Sequence, residues 1–577
     1  MIPGAAIMIK EILLVFKTHL DIGYTDYAAN VKEKYLREYL PAAVRVARAS
    51  EHTEHRFVWT TGSWLIAEAL KEDDGTLESA IRDGLITWHA LPFTSHTEYM
   101  NCALMEYALD ISADLDRRFG KKTIAAKMTD VPGHTVALVP MLCRRGIELL
   151  HIGVNPATPL PDVPEVFYWK CGDDQIAVIY NRDYGEVCEL GDFALAFGFT
   201  GDNHGPQGGE QLADVYRNLQ EKYPDAVIRA ATLDEAAERM RGLDLPVIEG
   251  EIGDNWIHGV GTDPTKTRLF REILRKTDSF TGKDINNNLL LVPEHTWGLC
   301  LQTKFPNSED WTPAQMKVCT DPQKDFFAGS WDEQRAYVTD AAKTLGVDLT
   351  DAAEVSVPDT SAMTAYDGQP RTKVLYQLFD RSDFDRYINT YLRMKEGWAI
   401  WDFTKNNLPD YRGGIYSPHV TAAWKSDGTR IFRMEFDEEI RTFAGLPTVW
   451  LIETDETVEL RWFGKGPNRM PEAYWLQIPE AADAKELYKL GMWIDPTNAH
   501  GMRDLHAVWA VRSDNFEVEP LDTALAAPFG PRLLHWQEPI DGPDLYFNLY
   551  NNIWNTNFPM WFSDDAKFRF VIRPRCK

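Results

Sequence analysis

His19 and Asp21 stand just past the apolar run Leu13–Phe16. A strand sends residues i and i+2 to the same face, so an imidazole and a carboxylate point the same way where a buried strand opens into a loop containing Gly23. One nitrogen and one oxygen donor are a start for a divalent-metal site, and equally a hydrogen-bonded pair at a strand end unless further ligands join them. Candidates follow later apolar runs. TIAAKMTDVPGHT offers Asp130 and His134, and FALAFGFTGDNHGP offers Asp202 and His204. EIGDNWIHGVGTDP offers Asp254, Trp256 and His258, and LLLVPEHTWG offers His295 and Trp297. Taken singly, Asp130 and Asp202 read as turn-forming residues, His134 as a partner for nearby backbone, His204 as solvated, and the two Trp as core. Taken together, in a chain with only 14 His, acids and imidazoles at successive strand ends point to one polar mouth.

The elements that must position these groups alternate. ILLVF precedes the helical VKEKYLREYLPAAVRVARAS, RFVWT precedes SWLIAEAL, and GLITWHAL precedes ALMEYALDISADLDRRFG. TIAAKMTD, ELLHIGVN, QIAVIYN, FALAFGFTGDN and AVIRAAT continue the strand series. Such repetition predicts a parallel sheet or barrel over 8–280 with its site at the carboxyl ends of the strands. The window 281–404 reads as a short helical bundle that completes the site, interrupted by the linker-like DLTDAAEVSVPDTSAMTAYDGQP. From 405 to 577, short alternating strands between Gly, Pro, Asn and Asp turns (TRIFRMEF, TVELRWFG, AYWLQIP, HAVWAVR, FRFVIRP) predict a β-sandwich. The fold class is therefore α/β plus all-β.

A chain of 577 residues is too long for one core. Lys+Arg 60 against Asp+Glu 87 gives a net charge of -27, which repels phosphate backbones and anionic membranes, so neither nucleic acid nor membrane is an expected partner. The 19 Trp, 22 Tyr and 27 Phe lean towards carbohydrate, because aromatic faces suit the apolar faces of sugar rings. Seven scattered Cys without a CxxC pair read as reduced core thiols, and MIPGAAIMIKEILLVF lacks the basic start of a signal peptide. Both favour a cytoplasmic protein. A homo-oligomer is compatible with all of this.

The order and texture of the motifs resemble glycoside hydrolase family 38, the retaining α-mannosidases. His19-Leu20-Asp21-Ile22-Gly23-Tyr24 is similar to that family's HxDxGW motif, and Asp130-Val131-Pro132-Gly133-His134-Thr135 to its DPFGHS-like motif. Gly201-Asp202-Asn203-His204-Gly205-Pro206 resembles a GDGGGGP loop, and LLLVPEHTWG the segment of the last metal ligand. The resemblance implies a deformed parallel (β/α) barrel and a Zn²⁺ held by His19, Asp21, Asp130 and His295, with Co²⁺ or Ca²⁺ as alternatives. It implies Asp130 as nucleophile, Asp202 as general acid/base, and a carbohydrate substrate. Tyr24, Thr296, Trp297, His204, Trp256 and His258 are the substrate-contact candidates.

Three positions depart from the pattern. Tyr24 stands for the Trp that stacks under the sugar, Pro132 for a Phe, and Thr296 for a substrate-binding Asp. Loss of that Asp removes a hydroxyl contact and opens the choice of sugar. Should His295 not be the ligand, His258 is next; should Asp202 not be the acid, Asp254 is next. Two other readings compete: a catalytically silent sugar-binding homologue, and a metal-dependent carbohydrate deacetylase, for which the expected HxxxH pair is missing.

Overall fold

The computed structural model describes residues 8–285, 288–300, 310–405, 407–479, 481, 485–534 and 542–575. Residues 1–7, read above for a leader, and Cys576 lie outside the described residues.

β1 (Glu11–Lys17) is buried from Ile12 onward, as a strand covered on both faces must be. Leu14 and Phe16 join one hydrophobic cluster, Leu13 and Val15 the other. This strand is central in a six-stranded sheet ordered β3 (Ile86–His89), β2 (Trp59–Gly62), β1, β9 (Phe193–Gly198), β8 (Cys188–Leu190), with β10 (Val227–Ala230) beside the first half of β1. A five-stranded sheet runs β11 (Val247–Glu249), β6 (Val166–Cys171), β7 (Asp174–Asn181), β5 (Leu149–Val154), β4 (Ala125–Asp130). Both are parallel except for the β8–β9 and β6–β7 pairs.

The expected strand–helix alternation is thus present, and it gives largely parallel sheets. The expected barrel is where the outcome differs: among the described residues the strands form two sheets and no closed ring of pairings. Two tight reversals break the parallel pattern, with Gly172 at φ 61 and Gly191 at φ 76 turning β6 back on β7 and β8 back on β9.

Helices Pro322–Leu345, Arg381–Thr390 and Trp398–Phe403 fall where a helical pattern is expected. The same window also contains strands Thr364–Ala365 and Lys373–Leu378, which pair with His419–Ser426 and Glu472–Ile478. With the strands beyond the window they form a ten-stranded and a six-stranded antiparallel sheet, packed face to face. Trp462 meets Tyr474 and Phe547 meets Phe570 across the interface, each with ring centroids 5.0 Å apart. Inward-facing aromatic pairs of this kind fill a sandwich core. A short parallel pair, Glu251–Ile252 with Ala499–His500, ties the two halves of the chain together. Among the described residues no helix is long and apolar enough to cross a membrane.

Candidate active site and metal centre

β1 and β9 run side by side, so the loops at their carboxyl ends open together, and His19 forms an isolated parallel bridge with Asp202. Asn203, at φ 54, clamps the two loops: its amide donates to the Asp21 carbonyl at 2.9 Å and accepts from the Asp21 N–H at 3.1 Å. Asn tolerates this left-handed backbone better than most residues. In the other sheet β4, β5 and β7 are neighbours with parallel registers, and their ends present Asp130, Asn155 and Tyr184. Asp130 Oδ1 accepts from Asn155 Nδ2 at 2.9 Å and from the Tyr184 hydroxyl. Burial first, then the Asp130 carboxylate, push the Tyr184 phenol well above its ordinary pKa, so it stays a donor.

His295 arrives from a third direction, after the helical turn Leu289–Leu291. The Nε2 atoms of His19 and His295 both lie 3.0 Å from Asp21 Oδ1, and His295 Nε2 lies 3.5 Å from Asp130 Oδ2. Both nitrogens are buried without a hydrogen-bond partner among the described residues. Glu294 Oε1 sits 2.6 Å from His295 Nδ1, which fixes the ring with Nε2 towards Asp21 and Asp130. Burial opposes ionisation of Asp21, but His19 and His295 outweigh it and hold its carboxyl well below the usual range. Two buried imidazole nitrogens aimed at one carboxylate oxygen, with a second carboxylate in reach, are a nitrogen and oxygen donor set that a divalent ion satisfies. His19, Asp21 and His295 therefore fit such an ion, with Asp130 Oδ2 beside them, 3.5 Å from His295 Nε2.

Above this cluster opens a cavity of about 400 Å³ bordered by Asp21, Asp130 and Asp202 together with Tyr24, Tyr184, Trp256, Trp398, Asp402 and Phe403. Burial raises the Asp202 carboxyl to about 6, helped by the neighbouring Asp21 and Asp130 carboxylates against the pull of His19. Its Oδ1 is buried without a partner among the described residues. A carboxyl raised in this way can give a proton near neutral pH, as acid catalysis on a glycosidic bond needs, and a second carboxyl, Asp130, borders the same cavity.

Of the six residues expected to contact substrate, Tyr24 and Trp256 border the cavity, and the other four do not. The Thr296 hydroxyl is spent on Glu294 Oε2 at 2.6 Å and the Ile22 carbonyl at 2.8 Å. Trp297 is core: its indole N–H donates to the Val292 carbonyl at 2.9 Å, and the Lys266 ammonium covers its ring. His204 is exposed and faces its own turn at the Thr200 carbonyl. His258 packs edge-on against Trp554 and lies 3.3 Å from Asn551 Oδ1, outside the metal cluster. Asp254 is tied down by the Trp256 N–H and the Tyr391 hydroxyl, and His134 Nε2 faces the Val131 carbonyl at 2.9 Å.

Sequence reasoning missed Asn155, Tyr184, Glu294 and Asp402. Asn155 carried a legible signal, since it ends the apolar run ELLHIGV as Asp130 ends its own. Glu294 adjoins a proposed ligand; Tyr184 and Asp402 had no signal.

This arrangement, a largely parallel α/β half joined to a β-sandwich half, has counterparts in fold among solved structures. The chain is similar in fold to an α-mannosidase from Enterococcus faecalis V583, with a TM-score of 0.55 and 9% identity over 98% of this chain and 87% of that one. It is similar also to a glycosyl hydrolase family 38 protein from Enterococcus faecalis, with a TM-score of 0.51 and 8% identity over 99% of this chain and 86% of that one. A family model described as a domain of unknown function (DUF5054) matches residues 260–368. No curated protein matches the chain.

Proposed function

We propose that this chain is a metal-dependent retaining α-glycosidase of the α-mannosidase type, a divergent relative of glycoside hydrolase family 38. The observation that carries the reading is the cavity that brings Asp130, beside the His19–Asp21–His295 cluster, together with Asp202, whose carboxyl is raised to about 6. The fold likeness to an α-mannosidase and to a glycosyl hydrolase family 38 protein supports it.

In this reading His19, Asp21, Asp130 and His295 hold a divalent ion, Zn²⁺ or, with the same donors, Co²⁺ or Ca²⁺. When bound, the ion supplies a positive charge that orients the sugar through its hydroxyls. Asp130 attacks the anomeric carbon while Asp202 gives its proton to the glycosidic oxygen, so the leaving group departs neutral and the sugar is held as an ester on Asp130. Asp202, now a carboxylate, takes a proton from water, which displaces Asp130 and restores both groups. Tyr24, Trp256, Trp398 and Phe403 form the wall against which the ring packs.

The test is a screen of aryl α-glycosides with added Zn²⁺, Co²⁺, Ca²⁺ or EDTA, together with metal analysis. Turnover is expected with retained anomeric configuration, abolished by EDTA, with one ion per chain that His19→Ala and His295→Ala each lose. Stoichiometric metal in His295→Ala, or inverted product by NMR, refutes the assignment.

A further inference from the structure

A second cavity, of about 700 Å³, lies where the start of helix Cys102–Phe119 and the end of helix Pro264–Lys276 meet the edge of the ten-stranded sheet, and it shares no bordering residue with the candidate active site. Three half-buried aromatic side chains, Tyr488, Trp493 and Trp509, border it. The Tyr488 and Trp493 rings stand 5.1 Å apart at 50°, forming the two sides of a V. Guanidinium groups cover one face of each indole: Arg512 lies 4.2 Å from the Trp493 ring centre, and the buried Arg271 lies 4.2 Å from that of Trp509. Trp509 is pinned further by its N–H donating to the Met100 carbonyl at 2.9 Å. Both indoles are thus held in place by these contacts and border the cavity.

The polar groups around these rings suit hydroxyl ligands. Thr277 borders the cavity, and its Oγ1 is buried without a hydrogen-bond partner among the described residues. Arg573 takes one carboxylate oxygen each from Glu517 and Glu519, at 3.4 and 2.8 Å, and their other oxygens remain acceptors. Glu106 and Asp278 add two more carboxylates, whereas the cation Arg275 is committed to Glu272 and the Leu521 carbonyl. An acidic lining repels anionic ligands. Rigid aromatic faces with carboxylate acceptors between them match a neutral sugar, whose C–H face stacks while its hydroxyls donate. A peptide adding to the sheet fits less well, because the edge strand Met492–Ile494 is only three residues long. A cavity of this size encloses a ligand of several rings.

From this geometry we infer that the cavity bordered by Tyr488, Trp493 and Trp509 is a second binding site for neutral oligosaccharides, separate from the active site. The inference does not rest on the catalytic reading. A glycan held here tethers the chain to an extended or branched carbohydrate, whatever the first cavity does.

The test is titration calorimetry and saturation-transfer NMR on the full chain with mannotriose, maltotriose and a galacturonate trimer. A binding event is expected with at least one neutral trimer and not with the galacturonate. Trp493→Ala should weaken that event at least tenfold and Thr277→Val severalfold, and His295→Ala should leave it in place, which separates this site from the proposed catalytic one. With aryl glycosides Trp493→Ala should turn over like the parent. Melting curves within a few degrees of the parent exclude unfolding as the cause, and Trp493→Phe, expected to keep most of the binding, serves as a folded control. Trimer binding that survives both Trp493→Ala and Thr277→Val, or binding of a lysine-rich peptide with no response to either neutral trimer, overturns the proposal.

Discussion

Asp130 sits at φ 83, in the left-handed region that a non-glycine residue occupies at a cost of about 1–2 kcal/mol. That backbone turns the carboxylate out of β4 towards His295, and the donors Asn155 and Tyr184 fix which oxygen faces the cluster. With Oδ1 held by two donors, Oδ2 is the oxygen beside His295, and the carboxylate proposed as nucleophile is fixed in direction. Tyr184→Phe keeps the ring that packs 5.2 Å from His19 and removes only the hydroxyl. It should lower kcat by roughly 10²-fold with metal content and melting temperature nearly unchanged, the scale seen when one positioned donor is lost. An unaltered kcat would mean that the hydroxyl positions nothing. Asp202 makes a separate prediction. Its carboxyl is raised to about 6, chiefly by burial, and in the proposed mechanism the protonated form is the acid, so kcat/KM should fall as pH rises through about 6. In Asp202→Asn that limb should vanish, and substrates with poor leaving groups should lose about 10²–10⁴-fold in rate. A descending limb that survives in Asp202→Asn belongs to another group.

At the scale of elements, what the sequence made legible was what is local. β1, β4 and β9 are each a run of apolar residues closed by an acid or an imidazole, and their site residues were readable because a buried strand can end in only a few ways. Which strand lies beside which was not readable, since pairing is set by packing between distant segments: β1 shares one edge between β10 and β2, whose registers begin at Val227 and Trp59. The β6–β7 hairpin did carry a signal, a Gly-Asp turn between two apolar runs, and so did the alternating KVLYQL strand inside the window read as helical. The loops that meet at the site are fitted through glycine. A Cβ on Gly253, at φ 98, would lie 2.0 Å from the Pro132 carbonyl oxygen and 2.4 Å from the Gly133 Cα. Gly253→Ala must therefore push away the loop that follows Asp130, at about 2–4 kcal/mol in overpacking and backbone strain and with a large loss of activity. Gly282→Ala, at φ 74 but facing open space, is the control and should cost only about 1–2 kcal/mol with activity intact. Equal effects in denaturant melts and kinetics would show that the loop contact does not matter.

At the scale of the molecule, the two halves are joined by a buried charge network. Glu98 and Glu251 come from the α/β half, Lys489, Arg503 and His506 from the sandwich, and all five are buried. Lys489 Nζ lies 2.5 Å from Glu98, 2.7 Å from Glu251 and 2.9 Å from His506 Nδ1, and Arg503 reaches Glu98 at 2.7 Å and Glu251 at 3.3 Å. The three groups Glu98, Glu251 and His506 have the composition of a metal site, but the ammonium already stands among them, so the network is a latch and not a second metal centre. Two carboxylates balance two cations, and burial, which lowers the His506 imidazole to about 4, keeps it neutral. Lys489→Met removes one cation and leaves a carboxylate uncompensated, which should cost about 3–5 kcal/mol. The pH dependence separates this cause from lost packing. In the parent, burial alone would raise Glu251, but Lys489 and Arg503 outweigh it and hold the carboxyl well below its ordinary 4.5; Glu98 is lowered in the same way. Depressed folded-state values stabilise the protein above about pH 4.5 and lose that contribution as pH falls below it. In Lys489→Met Arg503 still balances one carboxylate, and the other, buried without its cation, binds a proton more tightly folded than unfolded, so acid offsets part of the loss. The stability gap between parent and variant, measured by urea unfolding with EDTA present, should therefore narrow from pH 7 towards pH 4. A gap that stays constant with pH would assign the loss to packing, and a gap that EDTA alone produces in the parent would restore the metal reading.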